Sequence, residues 1–166
     1  MKTLKIYIKE SIFDDVEDIA SNDTVLIEQF LKDNYKITGS YIIKGGVVDV
    51  KGDVTVKNKN IESLTNGLFR FGVVSKDFDC TFCPGLVSLE GAPEEVGEVF
   101  WCAHCSGLIS LKGGPKKVGG YFDCTSCTNL KSLEGAPEKV GDYIYTYECD
   151  KLVITDSDRK KYKIKS

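Results

Sequence analysis

Between Phe78 and Leu152 the chain repeats itself every 22 residues. FDCTFCPGLVSLEGAPEEVGEV is followed by FWCAHCSGLISLKGGPKKVGGY, then FDCTSCTNLKSLEGAPEKVGDY, then a decayed IYTYECDKLVI; the first and third rows agree at 15 of 22 positions. A period in the twenties points to a solenoid, because one such unit cannot bury its apolar face alone and does so only against its neighbours.

The shared skeleton is F-x-C-x-x-C-x-x-L-x-x-L-x-G-x-P-x-x-V-G. Its columns are Cys80/Cys102/Cys124, Cys83/Cys105/Cys127/Cys149, Leu86/Leu108/Leu130/Leu152 and Leu89/Leu111/Leu133. Val96, Val118 and Val140 precede Gly97, Gly119 and Gly141. Phe and Cys alternate with other residues at the start of each row, as in a short strand with one buried face. The L-x-G-x-P segment leaves no helical stretch of useful length. Each row therefore predicts one short strand, a turn, two leucine anchors and a loop, with the glycine after Val supplying a positive-φ return.

The C-x-x-L-x-x-L spacing followed by P-x-x-V resembles a leucine-rich repeat, most closely the BspA-like type. It is also similar to cysteine-containing repeat proteins of bacteriophages and gut bacteria, which place a short acidic helical segment before C-x-x-C repeats. The resemblance spans roughly residues 54–155. It implies a binding module. A phage factor that captures and neutralises a host protein, including a defence protein, is the function expected from it, with a virion or assembly component as the alternative. The chain departs from the BspA-like pattern in its second cysteine column and in lacking an N-terminal secretion signal, so a cytoplasmic setting is expected, in the host if phage-encoded.

Composition is that of a folded domain, 42% hydrophobic and 28% charged. A net charge of −3 gives no reason to expect nucleic acid as the main partner. No apolar run approaches the roughly 18 residues of a membrane span. Seven cysteines without an export signal suit reduced thiols.

Ahead of the repeats, Leu4, Ile6 and Ile8 alternate with polar residues as a half-buried strand. Ser11 opens a helix, Asn22-Asp23-Thr24 reads as a break and new cap, and 25–35 is a second helix with Leu26, Phe30 and Leu31 inward. The acidic run from Glu10 to Asp33 reads as a solvated helix face in preference to a docking surface for a basic partner. Residues 41–43, 47–50 and 54–56 are short strands. Ile61-Glu62-Ser63-Leu64 marks a degenerate first coil, followed by a longer loop through Gly67 and Gly72. The fold expected is mostly β, α+β overall: a leucine-rich-repeat-like solenoid of four to five coils over 41–155. A strand and two-helix cap covers 1–40, and 156–166 is a basic tail or capping strand whose lysines blunt the open sheet edge.

Paired C-x-x-C motifs satisfy a generic zinc rule. However, the cysteines share the phase of the Leu and Val columns, three pairs do not divide into fours, and Thr146 stands where the last row would need Cys. A buried ladder of small apolar side chains is favoured over a four-thiolate zinc site or a redox pair. His104 replaces Phe82 and Ser126 in equivalent rows and reads as a surface histidine. No catalytic, cofactor or metal residue is singled out, so a zinc- or thiol-dependent enzyme ranks below a non-enzymatic module. If the Phe column points inward, its neighbours point outward. That places Trp101, Tyr121, Tyr143, Tyr145 and Tyr147 on one sheet face with Asp79 and Asp123 nearby. Two readings stay open: anchors for a protein partner, or cross-strand packing that stabilises the sheet.

Overall fold

The computed structural model describes residues 16–166; the strand expected at 4–8 and the helix start at Ser11 lie outside the described residues. Helix α1 (Val16–Asn34) leads into β1 (Tyr35–Ile37), the hairpin β2 (Ser40–Lys44) and β3 (Val47–Lys51), and β4 (Val54–Val56). The chain then alternates between two sheets through β5 (Arg70–Val74), β6 (Phe78–Asp79), β7 (Glu95–Val96), β8 (Phe100–Trp101), β9 (Lys117–Val118), β10 (Phe122–Asp123), β11 (Lys139–Val140) and β12 (Ile144–Tyr145). Helix α2 (Asp156–Lys161) and β13 (Ile164–Lys165) finish it. The result is a β-solenoid of about five coils at the 22-residue spacing.

The first sheet has the order β1-β4-β6-β8-β10-β12-β13 and the second β11-β9-β7-β5-β3-β2. From β4 through β13 the first sheet is parallel, with Phe78, Phe100, Phe122 and Ile144 in one register column. These four side chains are fully buried. The Phe rings stack at 5.3 and 5.1 Å between centroids, 9° and 1° from parallel. The Leu86/Leu108/Leu130 and Leu89/Leu111/Leu133 columns fill the same core.

The second sheet corrects the expectation of one strand and a loop per row. In E-V and K-V the valine turns inward, Val96 and Val118 being buried, while Glu95 and Lys117 face out. Backbone groups this close to the core need partners, and the preceding coil supplies them: Gly97 N–H donates to Val74 O at 2.9 Å and Gly119 N–H to Val96 O at 2.9 Å. The glycine after Val is needed for a different reason from the one expected. A Cβ on Gly119 would lie 1.9 Å from the Gly97 carbonyl oxygen, so backbone crowding between coils, not φ, excludes a side chain. Positive φ belongs instead to Gly91, Gly113 and Gly135, at +87°, +78° and +86°. Gly72 likewise sits inside β5 and not in a loop.

Three further corrections concern the N-terminal side. Asn22-Asp23-Thr24 does not break the helix: α1 runs through it without interruption. Mid-helix Asn, Asp and Thr each cost only a fraction of a kcal/mol, ~0.7 at most, and the anchoring of Ile27 and Leu31 in the core outweighs that. The buried stripe is Ile27 and Leu31 with Phe30 beside them, whereas Leu26 is exposed. Tyr35 starts β1, not the helix end, and its hydroxyl donates to the Leu64 carbonyl in the first coil. Ile61 and Leu64 are buried, as the degenerate coil requires.

At the other end, the tail is a helix and a strand. Thr155 and Asp158 form a reciprocal capping box for α2. Strand β13 pairs with β12, and Tyr162 donates to Pro137 O at 2.9 Å, fixing the cap to the last coil.

Leu130→Ala removes a fully buried anchor with coils on both sides, and a loss of about 2–5 kcal/mol is expected. The exposed Thr128→Ala should stay within about 0.5 kcal/mol. Urea melts of both variants check this; equal losses would contradict the inward assignment of the leucine column.

Candidate functional site: an aromatic face on the first sheet

Alternation in the first sheet fixes what faces outward. Asp79, Trp101, Asp123, Tyr145 and Lys165 form one register column, each one residue past the buried Phe/Ile column. Tyr121, Tyr143 and Lys163 precede that column, accepting through their carbonyls from Phe100, Phe122 and Ile144 at 3.1, 3.0 and 2.9 Å. Trp101, Tyr121 and Tyr145 are half-buried against one another; Tyr143 and Tyr147 are 37% and 44% exposed.

The five predicted rings are brought into contact. Trp101 meets Tyr121 edge-to-face at 5.9 Å, Tyr121 meets Tyr145 at 5.3 Å, and Tyr145 touches both Tyr143 and Tyr147 at 6.1 Å. The two predicted aspartates flank Trp101 in register. Each has a local duty: Asp79 Oδ1 accepts from Thr81 N–H and Asp123 Oδ1 from Thr125 N–H, both at 2.8 Å. The second carboxylate oxygen is not used by that turn.

Sequence reading missed the cations at the edge of this face. Lys165 Nζ lies 4.0 Å from the Tyr143 ring centroid and 5.4 Å from that of Tyr145, with Lys163 6.0 Å from Tyr143. The alternation of Tyr162 and Ile164 with charge was the signal, since it implied a paired strand that would carry its lysines onto this sheet. Also missed was the stacking of exposed Phe82 on exposed His104, 4.4 Å apart and 5° from parallel. Both residues hold positive φ, as do Ser126 and Glu148 one and two coils on. A further cleft of about 450 Å³ lies beside β2, where Tyr41, Ile42 and Val73 are exposed.

The cysteines point into the core. Six are buried and Cys149, in the last coil, is half-buried. Their thiols bond to carbonyls of adjacent coils: Cys105 and Cys127 donate at 3.1 Å to Cys80 O and Cys102 O. Among the described residues no group of three or more His, Cys, Asp or Glu side chains is placed to hold a metal ion. Burial, then the neighbouring thiols, pushes the Cys102 thiol well above its ordinary value. The hydrogen bond with Cys149, then burial, raises Cys124. The same bond lowers Cys149, against its own burial. Cys83 and Cys105 are raised too, by bonding to Cys105 and Cys80 respectively ahead of burial. For Cys83, Cys102, Cys105 and Cys124 these are the properties of shielded core thiols; Cys149, at the open end of the ladder, is the exception.

A scan against protein-family models, a search of curated proteins and a search of solved structures each found no match.

The raised thiols set the sign of a pH dependence. Native Cys102 keeps its proton at pH values where the unfolded chain has released it, so its contribution is complete below pH ~8.5 and is lost as pH rises further. Urea unfolding from pH 7 to 10.5 should show this alkaline loss, with a shallower slope in Cys102→Ala; identical slopes would rule out the thiol as its source. In a separate experiment, a strong chelator should leave the melting temperature of purified protein unchanged. A fall, with zinc near one per chain, would mean metal coupled to folding.

Proposed function

We propose that the protein is a protein-interaction module whose partner docks on the aromatic face of the first sheet. The observation that carries this reading is the contiguity of the five rings from Trp101 to Tyr147, with lysines at one end, Asp79 at the other and Asp123 between Trp101 and Tyr145. Tyr and Trp bring large contact area with few rotors to freeze, which is why they recur as interface hot spots. The solenoid supplies a rigid platform: Trp101 and Tyr145 stand on β8 and β12, fixed in register by their neighbours, and Tyr121, Tyr143 and Tyr147 lie within two residues of β10 or β12. The resemblance to phage-carried repeat proteins makes a bacterial host protein the first partner to look for.

Trp101→Ala should weaken capture of a partner from bacterial lysate by more than about 1 kcal/mol, roughly fivefold. The melting temperature should change little, because the ring is only half-buried. Quantitative pull-down of wild type and variant, with thermal melts of both, checks it. Unchanged capture by Trp101→Ala would leave the rings with the sheet-packing role alone.

A further inference from the structure

The outward column has a spacing as well as a chemistry. Trp101 and Tyr145 are two strands apart in a parallel sheet, with Asp123 between them. At about 4.8 Å per strand, the two backbone positions are about 9.6 Å apart along the solenoid axis. Tyr121 stands edge-on to both rings, at 78° and 85°, and braces them. A ligand lying along the axis must present like side chains at that interval. An extended strand repeats on one face every ~6.7 Å, which fits neither one spacing nor two. An α-helix repeats its face at about 5.4 Å per turn, closer to 11 Å over two. A polyproline II helix returns to the same face after three residues, at about 9.3 Å.

We infer that the face binds a proline-rich peptide in the polyproline II conformation, laid along the solenoid axis with prolines three residues apart on Trp101 and Tyr145. This rests on the interaction reading above and specifies its partner. Flat aromatic surfaces suit proline rings, and this helix enters with little entropy left to lose. It has no internal hydrogen bonds, so its carbonyls are free to accept from indole N–H and phenol O–H. Charge sets the direction. Asp79 lies one strand beyond Trp101 and Lys165 one strand beyond Tyr145. A basic residue two positions before the first proline and an acidic residue two after the second fall within reach of them. Lys165 now rests over the tyrosine rings and would turn to the acidic residue on binding.

The test uses a fluorescein-labelled peptide of ten residues with arginine at its second position, prolines at the fourth and seventh, glutamate at the ninth and alanine elsewhere. Fluorescence anisotropy should show saturable binding to the whole protein. Tyr145→Ala should weaken it at least tenfold, and Trp101→Ala similarly, with both variants checked by melting. Moving the second proline to the sixth position should cost as much. Asp79→Asn should weaken the arginine peptide severalfold but leave a peptide with alanine at that position unaffected. Absence of saturable binding, or binding indifferent to Tyr145 or to proline spacing, overturns the inference. So does Tyr145-dependent binding of a neutral oligosaccharide such as cellohexaose in place of the peptide. Lysate capture by Tyr145→Ala separates the two levels. If capture is lost while the peptide fails, the module reading stands and the peptide class is wrong; if capture is also unchanged, both fall.

Discussion

Everything in this fold depends on coils lying in exact register on one another. Strands of two residues, such as β8 and β10, have almost no stability of their own. They persist because each buried side chain lands on its own copy in the next coil. Phe100 lies face-to-face between Phe78 and Phe122, and the leucine and cysteine columns do the same elsewhere in the core. A slip by one residue would turn every Phe outward and bring charged residues in. The aromatic spine reaches into the N-terminal cap as well, where Tyr35 meets Phe71 edge-on and Phe71 meets Phe78. The cap is therefore part of the same ladder.

Register also explains two costs that the chain tolerates. The residue before the second cysteine column is held at positive φ whatever its identity: Phe82, His104, Ser126 and, in the T-x-x-C of the last row, Glu148 at +59°, +56°, +58° and +56°. For residues other than glycine this conformation costs about 1–2 kcal/mol each. In return the second cysteine turns inward, and the N–H groups of Phe82, His104 and Ser126 reach the next coil's carbonyls at 3.0, 2.8 and 2.8 Å. The glycines after Val are the other cost, since the coils approach too closely there for any Cβ.

The repeated part of the fold was legible because its columns repeat: identical neighbours demand identical residues, so Phe78, Leu108 and Cys127 could be assigned inward from the alignment of rows alone. What escaped was structure encoded without a column of its own. The second strand of each coil has only one inward residue, and P-x-x-V reads as a loop until the neighbouring coil's carbonyls are in place. In α1 the local signals at Asn22-Asp23-Thr24 favoured a break, and the burial of Ile27 and Leu31 overrode them. The aromatic face lay between these cases. Alternation gave its side of the sheet, but Lys163 and Lys165 joined it only through the pairing of β13, which no repeat foretold.

The two sides of the first sheet differ in how far the repeat constrains them. Inward, successive rows carry Phe, Phe, Phe and Ile, because packing dictates the choice. Outward, the same strands carry Asp79, Trp101, Asp123 and Tyr145, with Tyr121 and Tyr143 one step earlier. Stability alone would be served by any β-compatible residue at these positions, and a repeat generated by duplication would begin with them alike. Cross-strand packing can account for one ring meeting the next. It does not call for large rings alternating with carboxylates along the column and ending at a lysine. A surface that differs from row to row on a scaffold that does not gives this face two distinguishable ends, Asp79 at one and Lys165 at the other, and that polarity is a property the repeat alone would not produce.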